Sequence, residues 1–164
     1  MATFKVKSKK GKYHDENTYR NLVEYVSSSA KVRDGGVIGG SVVPACAADA
    51  MKTVTHAYHK DSGLKMRHCI LSYGTEENVS FQNAKDMARQ IMDYYADDYQ
   101  IMAAIHEDHE SPHVHFLMNT VNYNNGTKYD GKKKDYYRFI NHINETLRPY
   151  GLHAEAVKDK EPND

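Results

Sequence analysis

The chain has 164 residues, and its 22 Lys and Arg residues balance its 22 Asp and Glu residues, so the formal net charge is zero. This length suits one compact domain, and we expect a single domain over 1–164 with a charged tail from about residue 158. Zero net charge argues against a protein that coats nucleic acid without specificity, but it allows a focused binding site.

The sequence also argues against secretion and membrane insertion. No apolar run approaches the length that spans a bilayer. The basic N-terminus is not followed by the apolar stretch that a secretory signal needs. The two cysteines, Cys46 and Cys69, are too few for a disulfide framework, and we expect buried or semi-buried thiols in a reducing cytoplasm.

The apolar periodicity predicts alternating helices and strands. We expect a strand at 3–7, a helix at 16–29, a glycine-rich turn at 34–40 and a helix at 44–58. We then expect a strand at 67–73, a helix at 81–96, strands at 99–106 and 113–121, an Asn-Asn-Gly turn at 123–126 and a helix at 134–147. This order predicts an α+β fold, a two-layer sandwich with a central antiparallel sheet backed by helices.

The segment 106–115 contains four histidines and three acidic residues. His113 and His115 are two apart on a predicted strand of the central sheet, so they project from the same face. The loop 107–112 is short enough to join adjacent antiparallel strands, which brings His106 beside them. Three imidazoles are therefore expected to converge at one edge of the sheet.

Three convergent neutral imidazoles suit a divalent first-row metal ion and leave coordination positions open for a substrate. We therefore identify His106, His113 and His115 as candidate metal ligands. Asp108 and His109 lie in the connecting loop, where they are candidates to orient a ligand. The alternative interpretation is a polar loop that has this composition by chance.

These residues carry a family resemblance. The pattern of His106, Asp108 and His113-Val114-His115-Phe116 resembles the third motif of conjugative relaxases of the MobP type, within the endonucleases that share a His-hydrophobic-His motif. The resemblance extends over roughly 21–152, and its weaker parts are Asn21 to Val26, His68 with Ser72-Tyr73, Asn119 to Tyr123, Gly126 to Tyr129, and Tyr150 to Leu152. One departure is Ser111, where many relatives carry another histidine.

The resemblance implies a metal-dependent endonuclease and strand transferase that cuts single-stranded DNA at an origin of transfer. It implies Mg²⁺ or Mn²⁺ as the cofactor, while three histidines also accept Zn²⁺, Ni²⁺ or Co²⁺ in a crystal. It also implies accessory relaxosome proteins as partners. Asp108 and His109 are candidate proton acceptors for the attacking group.

The resemblance also implies that Tyr25 is the nucleophile. Helix geometry supports this choice independently, because Tyr19, Leu22, Val23 and Val26 form the apolar stripe of the first helix. Tyr25 lies roughly 110° from the centre of that stripe, whereas Tyr19 lies within it. We therefore expect Tyr19 in the core and Tyr25 at the site, with a packed boundary role for Tyr25 as the alternative.

Lysines gather at 5–12 and 128–134, and tyrosines are interleaved with the second group. A basic groove with aromatic side chains is what binding of single-stranded DNA requires. The candidate DNA contacts are Lys128, Lys132, Lys133, Lys134 and Arg138. The alternative interpretation is that these segments are ordinary solvated surface.

Three other functions remain open from the sequence. A rolling-circle replication initiator or a transposase would use the same chemistry. A domain that binds metal and DNA without cutting would keep the histidines but need no nucleophile. A metal-dependent phosphoesterase would attack with water and form no covalent adduct.

Overall fold

The computed structural model describes residues 1–8, 11–108 and 110–159, which form a six-stranded sheet and four α-helices. The strands are β1 (Ala2–Val6), β2 (Val37–Gly39), β3 (Met66–Ser72), β4 (Ile101–His106), β5 (His113–Asn119) and β6 (Ala154–Ala156). The helices are α1 (Thr18–Val26), α2 (Ala47–Ala57), α3 (Phe81–Ala96) and α4 (Lys133–Leu147).

The strand order across the sheet is β2-β4-β5-β3-β1-β6. Neighbouring strands are antiparallel except β1 and β6, which run parallel, so the sheet is mixed. The predicted α+β class is confirmed, and the strand that carries His113 and His115 lies inside the sheet between β4 and β3. The sheet departs from the predicted antiparallel one in its parallel β1–β6 pair, and helices on both of its faces make three layers where two were expected.

Two edge strands were not predicted. β2 lies within the glycine-rich segment expected to be a turn, and it pairs with β4 from Val37 opposite Ala104 to Gly39 opposite Met102. β6 has three residues and pairs with β1. Strands this short have too few positions for a period-two pattern, and their hydrogen bonds come from distant parts of the chain.

Helices flank the sheet on both faces. One core joins α3 and α4 to residues such as Leu71, Ala103 and Phe116. The other core joins α1 and α2 to Met66, Met102, Ala104 and Leu117. Because side chains alternate along a strand, His106 and His115 lie on the same face as this second group, beneath α1.

Of the four described α-helices, only α3 begins with a side-chain cap. Ser80 caps α3 by accepting a hydrogen bond from the backbone N–H of Asn83 at 3.0 Å. The first helix ends at Val26, earlier than the expected residue 29, and α2 is preceded by a 3₁₀ turn at Pro44–Cys46. Among the described helices, none combines the length and apolar character that crossing a bilayer requires.

The end of the described chain returns to β1. The backbone N–H of Val157 donates to the carbonyl of Phe4 at 2.8 Å. The Asp159 carboxylate accepts a hydrogen bond from the backbone of Ser8 at 3.1 Å and lies 3.4 Å from the Lys7 ammonium. The first residues of the predicted charged tail are therefore bonded to the sheet edge, and residues 160–164 lie outside the described ranges.

Candidate active site

Three histidines converge at the ends of two adjacent strands. In the β4–β5 ladder, His106 is directly opposite His113, and Ala104 is opposite His115. One ring nitrogen from each of His106, His113 and His115 lies within 4.8 Å of the other two, an arrangement that could hold a metal ion. The hairpin geometry expected from the spacing is present.

Each of these rings has a neighbour that bears on its orientation. The Nε2 atom of His106 lies 2.8 Å from the carbonyl oxygen of Val26, so Nε2–H donates and Nδ1 keeps its lone pair. The Nδ1 atom of His115 lies 2.7 Å from Nε2 of His68, which leaves Nε2 of His115 toward the cluster. The Asp108 carboxylate lies 3.7 Å from Nε2 of His113.

The electrostatics of the cluster favour neutral imidazole. Burial lowers the pKa of His115 far below its ordinary value, and the neighbouring His68, His106 and His113 lower it further. Metal ions bind the neutral form of histidine, so no proton need be displaced from this ring at neutral pH. Three nitrogen donors with supporting hydrogen bonds fit a divalent ion whose remaining positions take other ligands.

Tyr25 lies on α1 above this cluster. Its side chain is 50% exposed, and the centre of its ring lies 6.4 Å from that of His106 and 6.2 Å from that of His115, edge-on to both. Tyr19, by contrast, is 2% exposed and its hydroxyl lies 2.7 Å from the Thr55 hydroxyl. The helix therefore buries one tyrosine in the core and presents the other at the histidines.

A pocket of about 440 Å³ opens beside the cluster. Tyr25 and Asn21 of α1 form one side, while His68 and His115 form part of the sheet side. Its lining also includes Lys7, Lys12 and the carboxylate of Asp15, and the ammonium of Lys31 lies 4.0 Å from the ring centre of Tyr25. An anionic substrate here would meet positive charge next to the candidate nucleophile.

Three residues at the site, His68, Tyr13 and Lys31, were absent from the predicted site residues. His68 is buried, and its Nδ1 atom lies 2.8 Å from the hydroxyl of Tyr13. Lys31 follows the end of α1 and covers the Tyr25 ring. The sequence did contain a signal for His68, because its strand matched a family motif, but its contact with His115 depends on the β3–β5 register, which sets His68 diagonal to His115.

The predicted DNA contacts differ in their surroundings. The Lys128 ammonium donates to the carbonyl of Leu64 at 2.7 Å and to the hydroxyl of Thr120 at 2.9 Å, so it is engaged within the fold. Lys132 is exposed and lies 3.6 Å from the Asp130 carboxylate. Lys133 lines a second pocket, whereas Lys134 and Arg138 are exposed on α4. His109 lies outside the described residues, so its predicted role stays a prediction.

The geometry agrees with a comparison to known families. The family model described as "Relaxase: MobA/VirD2-like, nuclease domain" matches residues 25–152, most of the chain. This chain belongs to that relaxase family. The match begins at Tyr25 and includes the three converging histidines of the relaxase domain.

Two individual relatives of the relaxase domain share less than a third of their aligned residues with it. It is 29% identical to Protein rlx of Staphylococcus aureus over 90 residues. The aligned segment covers 55% of this chain and 28% of that protein. It is 27% identical to the group II intron-interrupted relaxase LtrB of Lactococcus lactis subsp. cremoris over 74 residues. That segment covers 44% of this chain and 13% of that protein. The chain thus spans under a third of the length of these curated relatives.

The fold of the relaxase domain also has a solved counterpart. A structure described as "Molecular Basis of Vancomycin Resistance Transfer in Staphylococcus aureus" matches 98% of this chain and 97% of its own, with a TM-score of 0.56. Sequence identity across this match is 14%, so the likeness concerns the fold alone.

Proposed function

We propose that this relaxase domain cuts and rejoins one strand of plasmid or mobile-element DNA at an origin of transfer in the cytoplasm, with Tyr25 as nucleophile. The observation that carries the proposal is the half-exposed ring of Tyr25, held on α1 edge-on to His106 and His115. Transesterification of a phosphodiester needs a nucleophile beside a set of metal ligands, and Tyr25 and the candidate ligand His115 line the same open pocket. Accessory relaxosome proteins are the expected partners.

His106, His113 and His115 would hold the divalent ion, with Mg²⁺ or Mn²⁺ as the physiological choice because the substrate is a phosphate. A bound ion would polarise the oxygens of the scissile phosphate and stabilise the negative charge that develops there. Val26 and His68 keep the imidazoles of His106 and His115 in fixed orientations through their hydrogen bonds.

The reaction proceeds by exchange of one phosphoester for another. The Tyr25 oxygen attacks the phosphorus, the bond from phosphorus to the 3′ oxygen breaks, and a 5′-phosphotyrosyl link forms. The phenol loses its proton to a nearby base, for which Asp108 and His109 are the candidates, and the departing 3′ oxygen gains a proton. Since one phosphoester replaces another, the reverse reaction rejoins the strand. The ammonium of Lys31, 4.0 Å from the centre of the Tyr25 ring, would place positive charge beside the phosphate under attack.

A covalent-adduct assay tests the proposal. The protein, with Mn²⁺ or Mg²⁺, is incubated with single-stranded oligonucleotides tiled across transfer origins, and denaturing gels detect protein joined to DNA. We expect an adduct on Tyr25 by peptide mapping, lost in Tyr25→Phe and with chelator. Tyr137→Phe is the matched control, because Tyr137 is also exposed but lies on α4 outside the pocket that contains Tyr25.

The other outcomes separate the competing functions. Cleavage without an adduct indicates attack by water and overturns the role of Tyr25. Binding without cleavage, on DNA shown to contain a true site, indicates a non-catalytic binding module. An adduct on DNA from a replication origin or a transposon end, but not on transfer origins, indicates the initiator or transposase alternative.

Asp108 is tested with the same substrate. We expect Asp108→Asn to slow adduct formation while the protein still binds the oligonucleotide. If Asp108 accepts the proton, a higher pH restores part of the rate, because solvent base then deprotonates the phenol. If it only orients His113, the rate loss follows a loss of metal affinity and is reversed by excess Mn²⁺.

A further inference from the structure

A second pocket, of about 570 Å³, lies next to the one that contains Tyr25. Lys7 and Lys12 line both pockets, so the two share a wall. Its other side is formed by Tyr129 and by Tyr136 of α4. A strand bound at the histidines can therefore continue past Lys12 into this second pocket.

The charge of the second pocket suits a phosphate. Its described lining contains four cationic side chains, Lys7, Lys12, Arg67 and Lys133, and one carboxylate, Asp130. Lys7 is paired with the carboxylate of Asp159. Lys12 and Lys133 lie far apart in the sequence, and the fold brings them to one cavity. The net positive lining favours an anionic ligand.

Tyr129, one of the two rings of this aromatic wall, is held in place before any ligand arrives. The Tyr129 hydroxyl donates to the Asp135 carboxylate at 2.6 Å. The guanidinium of Arg67, a 6% exposed side chain, lies 5.0 Å from the Tyr129 ring centre and donates to the hydroxyl of Tyr95 at 2.8 Å. The Tyr95 hydroxyl also donates to Asp135, at 2.6 Å. A ring fixed in this way loses little conformational freedom when a base stacks on it.

We propose that the second pocket is a nucleotide-binding subsite for the DNA strand, with a base against Tyr136 and Tyr129 and a phosphate at Lys12 and Lys133. This inference rests on the proposed function, because it takes single-stranded DNA as the ligand. It also separates the predicted DNA contacts into residues that line this pocket and residues that do not. Lys133 contacts the strand, whereas Lys134, one residue further along α4 and outside the pocket lining, does not.

The test compares neighbouring residues on α4. Binding of a fluorescent oligo(dT) of about 20 nucleotides is measured by anisotropy, a length that exceeds the usual site size. Tyr136→Leu is expected to weaken binding about tenfold, while Tyr136→Phe retains it, because phenylalanine still stacks. Since Tyr136 packs partly on the core, this pair separates stacking from stability. Tyr137→Phe, on the exposed neighbour, keeps the ring that lies 5.4 Å from the Tyr136 ring and is expected to bind as the wild type does.

The lysines are compared through salt dependence. Lys133→Ala is expected to reduce the slope of log affinity against log salt by about 0.7, the value for one phosphate contact on a single strand. Lys134→Ala is expected to leave that slope unchanged. A photo-crosslink from oligo(dT) carrying 5-iodouracil is expected to map to Tyr129 or Tyr136.

The outcomes distinguish this subsite from the proposed cleavage. If Tyr136→Leu and Lys133→Ala bind oligo(dT) like the wild type and crosslinks map elsewhere, the subsite is overturned, whereas an adduct on Tyr25 still supports cleavage. If the wild type does not bind oligo(dT), the subsite is also overturned. If the variants lose binding as expected but no adduct forms on DNA with a true site, the subsite stands and the cleavage proposal fails.

Discussion

His68 and His115 are joined by a hydrogen bond between their ring nitrogens, 2.7 Å apart, beneath the candidate metal site. For Nε2 of His115 to bind an ion, its hydrogen must be on Nδ1 and must be donated to Nε2 of His68. His68 then carries its own hydrogen on Nδ1, 2.8 Å from the Tyr13 hydroxyl oxygen, which accepts it. The two hydrogen bonds that link Tyr13, His68 and His115 thus set one tautomer for each imidazole ring.

This relationship predicts that His68 supports metal affinity without contacting the ion. We expect His68→Leu to weaken Mn²⁺ binding about 10- to 100-fold, the usual effect of losing a group that orients a ligand. His68→Gln is expected to retain more affinity, because its amide oxygen can accept from His115. Isothermal calorimetry measures both, with the exposed His153→Gln as control. Equal affinity in the Leu variant and the wild type would show that the hydrogen bond is dispensable.

Metal binding should stabilise the fold through the same histidines. At about 100 times its dissociation constant, a ligand specific for the folded state adds about 2.7 kcal/mol. For a domain of this size we expect Mn²⁺ to raise Tm by about 5–10 °C. His113→Ala, at a partly exposed position, should abolish this shift and leave the Tm without metal nearly unchanged. A full Mn²⁺ shift in that variant would contradict the assignment of the ligands.

Lys128 is expected to act on stability and not on DNA. Its ammonium has two hydrogen bonds inside the fold, and burial lowers its pKa, with the neighbouring Lys65 and Lys60 adding to the effect. Lys128→Met should reduce the free energy of unfolding by about 1–3 kcal/mol, because the carbonyl of Leu64 loses a charged donor. Urea denaturation measures this loss. At temperatures where the variant is folded, its affinity for oligo(dT) should match the wild type, in contrast to Lys133→Ala.

Asp135 gives the fold an acid-sensitive element. Burial alone would raise its pKa, but hydrogen bonds from Tyr129, Tyr95 and Tyr94, with the charge of Arg67, outweigh it and hold the pKa below the ordinary value. The unfolded chain therefore binds the proton more readily than the folded one. The stabilisation is complete above the ordinary carboxyl value near pH 4 and is lost as the pH falls through the lower folded value.

We accordingly expect Asp135→Asn to be less stable at neutral pH by about 2 kcal/mol or more, since three hydroxyl donors lose a charged acceptor. Its stability should also fall less steeply between about pH 5 and 2 than that of the wild type. Urea denaturation across this range measures both effects. Asp93→Asn, an exposed substitution on α3, serves as control. If the stability of Asp135→Asn falls with decreasing pH as steeply as that of the wild type, this carboxyl does not cause the acid sensitivity.

Local pattern was sufficient for the parts of this protein that depend on neighbours in sequence. The alternation of His113 and His115 and the short loop back to His106 put three imidazoles on one hairpin, and the helical spacing of Tyr19 and Tyr25 separated a core residue from a surface one. These inferences needed only the strand period of two and the helix period of 3.6. The family motif and the α+β class follow from the same features.

Only the tertiary structure decided the rest, because it depends on residues far apart in the chain. The strand register places His68 beside His115, and the fold brings Tyr13 to His68 across 55 residues. The three-residue strands β2 and β6 exist through hydrogen bonds to β4 and β1, which no local pattern announces. The same holds for the lysines. Lys128 and Lys133 lie in the same lysine-rich segment. The ammonium of Lys128 donates to the carbonyl of Leu64 inside the fold, whereas Lys133 lines a pocket together with Lys12.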